Sequence, residues 1–75
     1  MRMSEIRQGM EVQLTKMEES KLKLALRRLG LVEGMTVQCR MARKNIVALQ
    51  WPGTMVAVRR KDLSDMNGRV IVWIH

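Results

Sequence analysis

The chain has 75 residues and carries 14 Lys and Arg against 7 Asp and Glu, a formal net charge of +7. That length accommodates one domain, residues 1–75, with one modest core, and a hydrophobic content of 47% places it among chains that fold rather than stay disordered. The single cysteine, Cys39, excludes an internal disulfide framework, no apolar run is long enough for a transmembrane helix, and no signal-peptide h-region is visible, so a cytoplasmic protein is expected.

In chain order, Ile6-Arg7-Gln8-Gly9 predicts an entry segment, with Ile6 tucked inward and Gly9 turning the chain. Met10, Val12 and Leu14 alternate with Glu11, Gln13 and Thr15, the period of two that marks a half-buried strand. Ser20 is the best N-cap for a helix, and Glu18 and Glu19 place negative charge near its positive end. Leu22, Ala25, Leu26 and Leu29 recur at helical spacing, which predicts one apolar stripe on a helix running from Ser20 to Leu29. Leu24 lies off that stripe, among Lys21, Lys23, Arg27 and Arg28 on the other faces.

Gly30 and Gly34 bracket a reversal. Gly30 can take the left-handed conformation that closes a helix while Leu31 folds back on the last turn, and Gly34 suits a tight turn. Met35, Val37, Cys39 and Met41 then alternate as a second strand. The basic connection Ala42-Arg43-Lys44-Asn45 leads to a third, ending at Trp51. Pro52-Gly53 signals a turn into a fourth strand, Thr54 to Arg59. Asp62 to Met66 suits a short helical turn ended by Asn67-Gly68, and Arg69 to His75 alternates as a fifth strand. Five short strands and one helix after the first strand make a mainly β fold, a small barrel in which closure protects strand edges. Eight Met and no Phe or Tyr suit an adaptable core.

No catalytic constellation can be assembled. There are no paired acids, no Ser/His/Asp set and no glycine loop to cradle phosphates. His75, the single histidine, has no evident partners for a metal, and Cys39 reads as a buried, inert thiol. Neither an enzyme, a metal site nor a cofactor is expected. The positive charge points instead to an acidic partner, whether nucleic acid, an anionic membrane face or an acidic protein surface. Arg59-Arg60-Lys61 could contact phosphates, but single-strand binders present several stacking aromatics and this chain offers only Trp51 and Trp73.

Read together, three segments resemble the FeoA family of ferrous iron transport proteins. They are Ile6-x-x-Gly9, Leu26-x-x-Leu29-Gly30-Leu31-x-x-Gly34, and Met55-Val56-Ala57-Val58-Arg59-Arg60-Lys61-Asp62-Leu63. Glu33 stands where the family often has proline, and the family's Ala-Pro-x-Gly-Asp-Pro loop is shortened here to Ala42-Arg43-Lys44-Asn45, of which only Ala42 matches. The resemblance implies an SH3-like barrel with the helix inserted after the first strand. It also implies a non-enzymatic accessory role in Fe(II) uptake, through docking on the cytosolic part of the FeoB transporter, with membrane contact only indirectly through that transporter. Partner-binding candidates are Leu24, Arg27, Arg28, Arg59, Arg60 and Lys61. A homo-oligomer is left open. The alternatives are a nucleic-acid-binding barrel, which the residues do not favour, and a helper of GTP hydrolysis in which Arg27, Arg28, Arg59 or Arg60 stabilises transition-state charge.

Overall fold

The computed structural model describes residues 1–74. The single histidine, the end of the fifth predicted strand, lies outside the described residues, so the readings placed on His75 are not addressed by the fold. Five strands, β1 (Met10–Met17), β2 (Thr36–Ala42), β3 (Ile46–Trp51), β4 (Thr54–Arg59) and β5 (Met66–Trp73), form one antiparallel sheet in the order β4-β3-β2-β1-β5. Helix α1 (Lys21–Arg28) follows β1, and short 3-10 turns occupy Met3–Glu5 and Arg60–Leu63. The expected mainly β fold with one helix after the first strand is therefore present. The hydrogen-bonded sheet is open, however: β4 and β5 are its two edges, and the Arg60–Leu63 turn carries the chain between them.

β1 is central and shows how the sequence pattern becomes a core. Met10, Val12 and Leu14 point inward. Strict alternation would then bury Lys16, but the register against β5 shifts between Leu14 and Lys16. That bulge turns Lys16 outward and Met17 inward, to 3% exposure. Val37, Cys39, Val47, Leu49, Trp51, Leu63 and Leu31 complete the interior.

The helix ends follow local chemistry. Ser20 Oγ accepts the Lys23 N–H at 3.0 Å, the N-cap its position predicts. At the other end, the Gly30 N–H donates to the Arg27 carbonyl at 3.0 Å and the Leu31 N–H to the Leu26 carbonyl at 2.9 Å. This is the Schellman pair of bonds, and Gly30 has the positive φ of +91° that it requires. Trp51 Nε1 donates to the Leu29 carbonyl at 3.1 Å, so another terminal carbonyl of the helix is satisfied from the core. Glu33, in place of the family's proline, accepts the Met17 N–H at 3.1 Å and so ties the reversal to the end of β1.

Three expectations are corrected. Leu29 is 46% exposed and Ala25 is exposed, so the predicted stripe reduces to buried Leu26 with partly buried Leu22. The helix has only eight residues and rests on the sheet through its middle, while the Schellman turn lifts Leu29 off the surface and sends Leu31 inward instead. The turn after β4 spans Arg60–Leu63 rather than Asp62 to Met66, and β5 begins at Met66 rather than Arg69. Gly68 is not a turn glycine. It lies inside β5, its N–H donates to the Met1 carbonyl at 2.9 Å, and a Cβ there would strike Val12 Cγ1 and come within 2.9 Å of Met3 Sδ.

Replacing Leu26 with Ala is expected to cost about 2–5 kcal/mol, because a fully buried side chain is lost from the helix's main contact. Gly68→Ala is expected to cost about 1–3 kcal/mol by overpacking. Chemical denaturation measures both, and a neutral result at either site would show that the helix or the N-terminal segment is seated differently.

Candidate functional site

The 59–61 segment lies where β4 leaves the sheet. The Arg60 N–H donates to the Asn45 carbonyl at 2.9 Å, which extends the β3–β4 hairpin by one pair beyond Ile46 and Arg59. This places the two basic runs, Arg43-Lys44 and Arg59-Arg60-Lys61, side by side. Between them lies a groove of about 770 Å³ lined by Ser4, Lys44, Asn45, Arg59, Arg60, Lys61 and Ser64. A second concavity of about 780 Å³ shares Lys44 and Arg60 and adds Arg7 and Arg43, with Glu5 as its one acid. The result is a continuous basic face.

The three adjacent cations are not equivalent. Arg60 is half-buried, and its guanidinium faces inward. Nη1 donates to the Ser4 and Ile6 carbonyls at 2.9 and 2.8 Å, and Nε and Nη2 donate to the Arg43 carbonyl at 3.2 and 2.7 Å. The planar fork of arginine allows one side chain to serve three carbonyls at once. Arg59 points to solvent and pairs with Asp62 at 2.8 Å, and Lys61 is exposed. The outward-facing charge of this motif is thus carried by Arg59 and Lys61, while Arg60 holds the groove's walls together.

The other predicted residues form a separate surface. Leu24 is 40% exposed on the outside of α1, and Arg27 and Arg28 are exposed on its last turn. A smaller hollow beside the helix is lined by Met17, Lys23, Arg27, Leu31, Val32 and Glu33, none of which lines the basic groove. Lys23 Nζ sits between Glu19 at 2.8 Å and Glu33 at 3.4 Å. Hydrogen bonding to Lys23 holds the Glu19 carboxyl below its ordinary range, and the same bond raises Lys23.

Residues that sequence reading left out of the site are Ser4, Arg7, Arg43, Lys44, Asn45 and Ser64. A signal for two of them was present. Once Pro52-Gly53 fixes the hairpin turn, its register carries Lys44 and Asn45 opposite the 60–61 segment. Cys39 is 2% exposed, its thiol donates to the Met41 carbonyl at 3.4 Å, and burial pushes its pKa up, away from a reactive thiolate. Among the described residues no three His, Cys, Asp or Glu side chains gather as a metal site, and no helix is long and apolar enough to cross a membrane.

With the geometry in place, comparison with solved structures is decisive for the fold. The chain matches the solution structure of the FeoA protein from Chlorobium tepidum with a TM-score of 0.83 at 19% identity, over 96% of this chain and 71% of that one. It matches an FeoA-like protein from Clostridium acetobutylicum with a TM-score of 0.79 at 20% identity, over 97% of this chain and 88% of that one. The fold is FeoA-like. No family model matches the sequence, and no curated protein matches it. The FeoA-like, SH3-like architecture accommodates the corrections above, since neither the inward position passing from Leu29 to Leu31 nor the earlier start of β5, with Gly68 inside it, alters the strand order.

Arg60→Ala is expected to destabilise the protein by about 1–3 kcal/mol, because it leaves three carbonyls without their charged donor. Arg60→Lys is expected to recover only part of that loss, since an ammonium cannot reproduce the fork. Denaturant midpoints for the two variants test this, and an unchanged midpoint for Arg60→Ala would remove the side chain from the frame of the fold.

Proposed function

We propose that this protein is a small accessory component of ferrous iron uptake that works by binding rather than catalysis. In this reading it is cytoplasmic and docks through Arg59, Lys61 and the groove beside them on an acidic face of the cytosolic part of a FeoB-like transporter. The observation that carries the reading is the FeoA-like fold, which extends over 96% and 97% of the chain in the two comparisons. The three FeoA-like motifs support it from the sequence side, and the basic groove supplies a surface with the right charge.

The alternatives draw less support. Trp51 is 3% exposed and donates its N–H to the helix end, which leaves Trp73 as the only candidate aromatic among the described residues for stacking on nucleic-acid bases. Stimulation of GTP hydrolysis needs an arginine able to reach into a partner's site. Arg59 is paired with Asp62 and Arg60 is turned inward, so that role would fall to Arg27 or Arg28 on the helix.

The test is association with the cytosolic GTP-binding domain of FeoB, with GTP turnover read in parallel. The expected outcome is binding without turnover by the protein alone. Arg59→Glu together with Lys61→Glu is expected to slow association about tenfold at low salt, with the difference shrinking as ionic strength rises. Absence of binding by the unaltered protein overturns the docking role. Equal association rates for a folded double variant move docking to the Leu24, Arg27 and Arg28 surface.

A further inference from the structure

We propose that the concavity lined by Arg7, Arg43, Lys44 and Arg60 is a direct contact surface for an anionic lipid bilayer, with Trp73 and Val70 seated at the headgroup boundary. The inference does not need the transporter-docking reading: the two surfaces share Lys44 and Arg60, but this one rests on Arg7, Arg43, Val70 and Trp73, which do not line the docking groove. Cations and apolar groups share this hollow: Met1, Val70 and Trp73 line it beside the four basic residues. These three apolar side chains are 37%, 41% and 39% exposed. A free phosphate would satisfy the cations but has no use for the apolar rim. A bilayer of anionic lipid uses both, since phosphates accept from Arg and Lys while tryptophan and aliphatic groups lie at the edge of the acyl region.

Charge complementarity gives the direction. Glu5 is the one acid among the lining residues. All four ion pairs formed among the described residues engage other cations, namely Lys16, Lys23 and Arg59. Arg7, Arg43 and Lys44 therefore present uncompensated charge. Trp73 Nε1 donates to the Gln8 carbonyl at 3.2 Å, which fixes the indole in the segment that also carries Arg7. An amphipathic ring held at the margin of a cationic hollow is the arrangement that interfacial anchors use.

The experiment is co-sedimentation of the protein with vesicles of phosphatidylcholine alone and of phosphatidylcholine mixed with phosphatidylglycerol, at low and high salt, with tryptophan emission recorded on the same samples. Trp51 is buried and contributes a constant background, so a shift in emission reports Trp73. The expected result is binding to the anionic vesicles only, a blue shift on binding, and release by salt. Arg7→Glu with Arg43→Glu should weaken the partition about tenfold or more while leaving circular dichroism unchanged. Because Arg43 serves the fold through its backbone carbonyl, its side chain can be changed without removing that acceptor; Lys44→Glu provides a second variant with the same expectation. Trp73→Ala should weaken binding and abolish the shift. No sedimentation at low salt overturns the proposal. So does binding that both charge variants retain, displacement of the protein from vesicles by inorganic phosphate without any emission shift, or preference for single-stranded RNA over anionic vesicles at equal salt.

Discussion

The Arg60 guanidinium is the interaction on which the arrangement of this small protein most depends. An open five-stranded sheet has two edges, and here the chain must travel from one edge to the other through the Arg60–Leu63 turn. The β3–β4 ladder reaches only the turn's first residue, through the Arg60 N–H to the Asn45 carbonyl. The Arg60 side chain holds the crossing by bonding to carbonyls at Ser4, Ile6 and Arg43. Its side chain thereby joins the N-terminal segment, the β2–β3 connection and the β4–β5 turn at one point. Those three segments also form the walls of the basic face, so the groove and the side of the fold where the sheet stays open share one anchor.

The same inward turn decides how the motif's charges are used. A run of three cations placed outward would repel itself. Seating the middle guanidinium among carbonyl dipoles gives its charge hydrogen-bonding partners and leaves Arg59 and Lys61 outside it. Arginine suits the middle position because it stays charged and its donors lie in a plane, whereas lysine offers a single point of attachment.

What the sequence made legible was local. Ser20 as N-cap, Gly30 as the left-handed closure and Pro52-Gly53 as the hairpin turn each follow from a residue's own conformational preference, and each stands as expected. What escaped was set by distant contacts. Gly68 reads as a turn glycine until the Val12 side chain and the N-terminal segment are seen against it. Leu29 fits the helical stripe by spacing, yet the chain reversal at Gly30 gives the inward position to Leu31. The bulge after Leu14 hides in an otherwise regular alternation and is betrayed only by Met17 falling out of phase. The candidate site divides the same way. Arg59 and Lys61 were visible as a run, while Ser4 and Arg7 reach the groove through tertiary packing that no periodicity encodes.

Charge is also sorted across the molecule. Glu18, Glu19 and Glu33 lie where β1, the helix and the reversal meet, each within 3.4 Å of a lysine. Glu5 is the one acid that lines the basic concavities, and Asp62 beside them is taken by Arg59. The net charge of +7 is therefore not spread evenly. Arg27 and Arg28 keep the helix side positive too, but the density is highest at the basic face, where Arg7, Arg43, Lys44, Arg59, Arg60 and Lys61 stand against Glu5 and Asp62, which gives the protein an electrostatic direction as well as a charge. Such a molecule turns its basic face toward any anionic surface before contact is made, and the attraction that turns it weakens as salt screens the longer distances first. Orientation by the whole field and seating by the groove are then separate steps, the first set by the count of uncompensated cations and the second by the walls that Arg60 holds in place.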